Sequence, residues 1–194
     1  MTSRTHVIYL PGLGDRYDPM RCFFLRAWSL YGVRVTMIPM RWSSDESYDA
    51  KRARVLSALD MLNNERIVLM GESAGGSMAV SVFAAQSGVV AGAMTLCGKN
   101  TRSDNVSPRI YAHNPAFRES MQQAETLVKT LRPKQSEQFV SIVPLYDPTV
   151  PVAETLIPGC QKMTLPLVGH LVAILAMLTI YAPLLARRAR KLSR

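Results

Sequence analysis

The chain is poor in cysteine, histidine and acidic residues, and each shortage removes a class of protein. Cys22, Cys97 and Cys160 are widely spaced and odd in number, which suits reduced thiols and not a disulfide framework. They and the three histidines show no metal-ligand spacing, so no metal and no cofactor are expected. Fourteen Asp and Glu stand against 23 Lys and Arg, a net charge of +9. That excess is local: Arg187, Arg188, Arg190, Lys191 and Arg194 carry five of the charges, leaving +4 for the rest. Aromatic residues make up only 7% of the chain and do not interleave with basic ones. With no RNP-like run or zinc finger, nucleic acid is not an expected partner. The opening segment has four apolar residues, Val7 to Leu10, before a turn, too few for a signal-peptide core. The expectation is a cytoplasmic protein.

What is present is globular. Hydrophobic residues are 48% and charged residues 19% of the 194, enough for one domain with a real interior. The expected division is a single domain over residues 1–186 and a basic tail over 187–194. Apolar runs of strand length recur at His6–Leu10, Val33–Pro39, Arg66–Met70, Val90–Leu96, Gln138–Leu145 and Gln161–Leu165. Helix start signals lie between them: Asp18-Pro19 and Asn114-Pro115 as N-cap and N1, and Ser43 with Glu46 as a capping box. Alternation of this kind predicts an α/β fold, a doubly wound and mostly parallel sheet of about six strands covered on both faces.

Chemistry in such a sheet gathers beyond the carboxyl ends of the strands. The third strand ends in Gly71-Glu72-Ser73-Ala74-Gly75, followed by small helix-compatible residues. A chance G-x-S-x-G is expected in roughly 6% of chains this long, so the pattern alone decides nothing. The other strand ends add the context. The first runs into Pro11-Gly12-Leu13-Gly14-Asp15, the fifth into Asp147-Pro148-Thr149-Val150-Pro151, the last into Gly169-His170. A serine hydroxyl is a poor nucleophile until a base takes its proton, and the base needs a carboxylate to fix its tautomer. Ser73, His170 and Asp147 can fill those roles. The backbone amides of Ala74 and Leu13 are the matching candidates for an oxyanion hole.

Through G-E-S-A-G at 71–75, D-P-T-V-P at 147–151, G-H at 169–170 and P-G-L-G at 11–14, the chain resembles the α/β-hydrolase family over nearly its whole length. The resemblance implies Ser73 as nucleophile, Asp147 as acid, His170 as base and the Leu13 and Ala74 amides as oxyanion donors. It also implies a serine hydrolase acting on a carboxylic ester or thioester through an acyl-enzyme. Two departures stand out. Pro11 occupies the place of the family's histidine before the first-loop glycine, and the family's two leading antiparallel strands have no counterpart before His6. Residues 98–133 leave room for one helix and a loop, so the expected form is a minimal core without a large lid. Pocket walls are expected from the first loop, the region near Trp42 and the 98–133 segment.

Competing assignments exist for several residues. Asp104 is the rival acid, and His6 and His113 are the other histidines, at the wrong end of the sheet and in a mid-chain loop. Gly12-x-Gly14 lacks the third glycine of a dinucleotide fingerprint, since position 17 is Tyr, and no acidic residue closes the second strand. Glu72 reads as a turn residue pointing away from the pocket, with no chemistry assigned. Leu171–Ala186 is 16 residues without a charge, shorter than the roughly 20 of a spanning helix and interrupted by Pro183. A buried helix on the sheet is the expectation, with peripheral membrane contact through residues 171–194 at the inner face, or a homodimer interface, as alternatives. The rival functional reading is a non-catalytic protein of this fold that associates with a membrane or partner through that apolar, basic end.

Overall fold

The computed structural model describes residues 5–62 and 65–193. Six strands form one sheet: β1 (Thr5–Leu10), β2 (Val33–Met37), β3 (Arg66–Glu72), β4 (Val90–Leu96), β5 (Phe139–Tyr146) and β6 (Gln161–Val168). Their order is β2-β1-β3-β4-β5-β6 and every pairing is parallel. The inner strands read as unbroken apolar runs because helices cover both faces. All of β1 is buried, for example, whereas the edge strand β6 is largely exposed. Strand β6 runs on through Pro166, which the sequence pattern placed outside it. An edge position tolerates a residue that cannot donate to the ladder, and the β5–β6 register is irregular between Pro144 and Tyr146.

One face carries α2 (Tyr48–Asp60), α3 (Gly75–Gln86) and α5 (Pro115–Val128). Their apolar sides meet Ile8, Leu10, Ile67, Leu69 and Phe139 in one core. The other face carries α1 (Asp18–Arg26), α8 (His170–Leu178) and α9 (Ala182–Leu192), packed on Val7, Tyr9, Val68, Met94 and Ile142. Short helices α4 (Pro108–His113), α6 (Pro133–Glu137) and α7 (Val152–Thr155) complete the chain. Residues 98–133 thus hold α4 and α5, with Asn114 between them, where the sequence pointed to a single helix.

Two helix starts differ from the sequence pattern. A 3-10 turn, Asp15–Tyr17, precedes α1, so Asp18 is its first residue and not its cap. Helix α2 is capped by Ser47, whose hydroxyl accepts from the Ala50 amide at 3.2 Å. Glu46 is not part of a capping box with Ser43; it lies outside the helix and pairs with Arg41, Lys51 and Arg54.

The apolar C-terminal stretch is two helices and not one, with α8 and α9 bent 73° apart. Pro183 lies in the first turn of α9; as an interior residue it would lose its hydrogen bond and clash with the preceding turn, so the helix restarts there. Arg187, Arg188, Arg190 and Lys191 lie on α9, whose Ala186 and Ala189 are fully buried, rather than on a free tail. Among the described residues no single helix is long and apolar enough to cross a membrane.

Candidate active site

Register brings five strand ends together. Leu10 pairs with Gly71, Glu72 with Leu96 and Tyr146 with Val168, so the residues after β1, β3, β4, β5 and β6 share one edge of the sheet. Ser73 occupies the turn between β3 and α3 with φ +47°, a left-handed conformation rare for a residue with a side chain. The turn is held by its own backbone. The Ser73 amide donates to the Leu96 carbonyl at 3.0 Å, and the Ser73 carbonyl accepts from Gly76 at 2.9 Å and Lys99 at 2.8 Å.

Close approach explains the flanking glycines. A Cβ on Gly75 would stand 2.1 Å from the Leu10 carbonyl oxygen, so only glycine lets α3 leave the sheet at that distance from β1. Gly12 is packed against the same turn, and a Cβ there would lie 2.9 Å from that of Ser73.

Asp147 follows β5 and His170 opens α8; both are buried. The Asp147 Oδ1 atom accepts from the Thr149 amide at 2.8 Å and the Val150 amide at 2.9 Å. Its Oδ2 lies 2.6 Å from His170 Nδ1. Burial alone would push this carboxyl up, but the bonds from His170 and the two amides outweigh it and hold the group below the usual carboxylate range. An ionised Asp147 only accepts, so Nδ1 of His170 carries the proton, and Nε2 is left to accept from the Ser73 hydroxyl at 2.9 Å. The chain of hydrogen bonds runs Ser73, His170, Asp147.

Leu13 lies in the first loop, and Ala74 directly follows Ser73 in the chain. Among the described residues neither amide donates to another protein group. Ala74 is the N-cap of α3, at the positive end of the helix dipole.

The rival acid and the other two histidines lie elsewhere. Asp104 is exposed and pairs with Arg102. His6 contacts Glu65 at 3.0 Å and Thr36 at 2.7 Å at the opposite end of the sheet, while His113 bonds the Arg109 carbonyl. Cys97 Sγ stands within 4.8 Å of the Asp147 and His170 donor atoms. Burial, and then the Asp147 and Glu72 charges, push the Cys97 thiol up, which favours its neutral form beside the two. Trp42, placed by the sequence near the pocket wall, is fully buried, and its Nε1 donates to the Pro11 carbonyl at 2.9 Å. It supports the first loop from below.

Glu72 is the main correction. It is the last residue of β3, buried to 2% exposure, and not a turn residue. Arg21 grips it through Nε at 2.9 Å and Nη2 at 2.5 Å, and the Tyr9 hydroxyl donates to it as well. A second buried pair, Lys99 with Glu154, ties the loop after β4 to α7. Neither pair has a local signature, since the partners are 51 and 55 residues apart.

Three solved structures illustrate what this architecture is similar to. A metagenome-derived lipolytic enzyme, from work on LipS and LipT, aligns at TM-score 0.69 and 16% identity over 99% of this chain and 94% of its own. A pyrethroid hydrolase from Sphingobium faniae aligns at 0.69 and 15%, over 96% and 97%. A monoacylglycerol lipase from Paleococcus ferrophilus aligns at 0.65 and 13%, over 96% and 94%. No protein-family profile and no curated protein sequence matches the chain. The chain has the α/β-hydrolase fold, in the open six-stranded parallel form described above.

Proposed function

We propose that the protein is a serine hydrolase that cleaves a carboxylic ester or thioester through an acyl-enzyme. The observation that carries the reading is the unbroken hydrogen-bond chain from Ser73 Oγ to His170 Nε2 at 2.9 Å and from His170 Nδ1 to Asp147 Oδ2 at 2.6 Å. Ser73 Oγ attacks the substrate carbonyl carbon while its proton passes to His170 Nε2. The Leu13 and Ala74 amides receive the developing oxyanion. As the tetrahedral intermediate collapses, the bond to the leaving alcohol or thiol breaks and that group takes the proton from His170. Water, deprotonated by His170, then attacks the acyl carbon and restores Ser73. Asp147 stays ionised throughout and stabilises the imidazolium.

The surroundings favour an apolar acyl or alcohol part. Leu171 and Val172, next to the base, are 70% and 64% exposed, and Tyr146, next to the acid, is 61% exposed. The lipolytic activity of the neighbour from the LipS and LipT work fits the same substrate class. Turnover of short-chain ester and thioester panels by wild type, lost in Ser73→Ala with an unchanged circular dichroism spectrum, is the expected result. Full turnover by folded Ser73→Ala would contradict it.

A second reading, association with an anionic membrane surface, is favoured by one observation. Helix α9 and β6 bound a groove of about 550 Å³ lined by Met163, Leu184, Arg187, Arg188, Arg190 and Lys191. Cosedimentation with anionic vesicles, absent with neutral ones and lost on reversing the charge of α9, is its test.

A further inference from the structure

All five N–H donors of the Arg21 guanidinium are engaged, and they join two separate parts of the site. Nε and Nη2 hold the two carboxylate oxygens of Glu72, the residue immediately before Ser73. The second Nη2 donor reaches the Leu13 carbonyl at 3.1 Å. Nη1 donates to the Gly14 carbonyl at 3.0 Å and to Asp18 Oδ1 at 2.9 Å. The group is buried, 4% exposed, and contacts neither Ser73 nor His170. Burial would weaken its hold on the proton, but the bond and charge of Glu72 outweigh that and keep it cationic.

Those carbonyls belong to the first loop, whose Leu13 amide the hydrolase reading assigns to the oxyanion and whose Gly12 packs on the nucleophile, an added Cβ there lying 2.9 Å from that of Ser73. Leu13 is only partly buried and Gly14 has φ +87°, a glycine-permissive turn with little intrinsic preference for one orientation. With its carbonyls tied inward to Arg21, the loop is fixed relative to the residue that carries the nucleophile. Asp15 pins the far side, accepting from the Trp42 and Ser43 amides at 3.1 and 3.2 Å.

We infer that Arg21 is a positioning residue: through Glu72 and the Leu13 and Gly14 carbonyls it locks the first loop to the nucleophile turn, so oxyanion binding depends on a side chain that touches no substrate. This rests on the hydrolase reading. The guanidinium fork is what the role requires. A lysine brings the same charge but three donors on one atom, and cannot span Glu72, Leu13 and Gly14 together.

The test compares an oxygen ester with its thionoester, whose sulfur is a weak hydrogen-bond acceptor and gains little from an oxyanion hole. Arg21→Lys keeps the charge against Glu72. Active sites are counted by fluorophosphonate adduct, and kcat and KM are measured for both substrates. The expected result is a fall of about 10- to 100-fold in kcat for the oxygen ester with KM little changed, and a much smaller fall for the thionoester. Equal falls for both substrates, or no fall, would overturn the inference, since a general loss of structure affects both alike. Should Arg21→Lys not fold, Arg21→Met with Glu72→Leu removes the charge together with its partner and carries the same comparison. Failure of wild type to turn over either substrate, with no adduct at Ser73, would instead overturn the hydrolase reading.

Discussion

The carbonyl oxygen of Leu10 faces Gly75 so closely that a single added methyl group would lie 2.1 Å from it. The end of β1 and the start of α3 are thus in backbone contact directly behind Ser73. Gly75→Ala is expected to destabilise the fold by about 1–3 kcal/mol, the cost of overpacking a rigid contact. Gly88, whose added Cβ would meet nothing within 4 Å, is the control. Gly88→Ala should be neutral or stabilising by up to about 1 kcal/mol. Urea midpoints of the two variants check both expectations.

Ser73 holds a strained backbone for the sake of its position, with φ +47°. Ser73→Gly and Ser73→Ala both remove the hydroxyl, but only glycine relieves the angle. Their thermal midpoints should differ, with Ser73→Gly the more stable by about 1 kcal/mol after the entropy of the freer unfolded chain is subtracted. A lower midpoint for Ser73→Gly than for Ser73→Ala would mean that the turn carries no strain.

Asp147 titrates below the usual carboxylate range because the His170 and backbone donors outweigh its burial. The sign follows: its contribution to stability is present above the ordinary aspartate range of about 3.9 and is lost as pH falls through the lower folded value. Asp147→Asn should remove that acid-side dependence from the unfolding free energy. It should also lower kcat by about 10⁴, since an amide no longer selects the tautomer that leaves Nε2 free.

Lys99 and Glu154 form a buried pair, and Glu154 also receives Asn105. Lys99→Met leaves an uncompensated carboxylate and is expected to cost about 3–5 kcal/mol, whereas Lys99→Met with Glu154→Leu should recover most of it. Chemical denaturation of the single and double variants reads the difference.

Much of the fold was legible in the sequence, because the strands announce themselves as apolar runs and the order of elements follows from alternation. Ser73, Asp147 and His170 stood out since each sits at the carboxyl end of a strand, where the register brings chain ends together. What stayed hidden depends on partners far apart in the chain. Glu72 reads from the sequence as a turn residue pointing away from the pocket, because nothing near it signals that Arg21, 51 residues away, pairs with it. The support that Trp42 gives the first loop had no local signal either, since its indole bond to Pro11 spans 31 residues. Pro183 marked the interruption of the C-terminal apolar run, but hydropathy carries no angle, and the 73° bend between α8 and α9 appears only in the fold.

The most direct measurement is the intact mass of the protein after treatment with a fluorophosphonate, for wild type, Ser73→Ala and His170→Ala. One equivalent of adduct on wild type and none on either variant is the predicted result, for it requires both the hydroxyl and the base that activates it. No adduct on folded wild type, or equal labelling of Ser73→Ala, would contradict the assignment of Ser73 as an activated nucleophile.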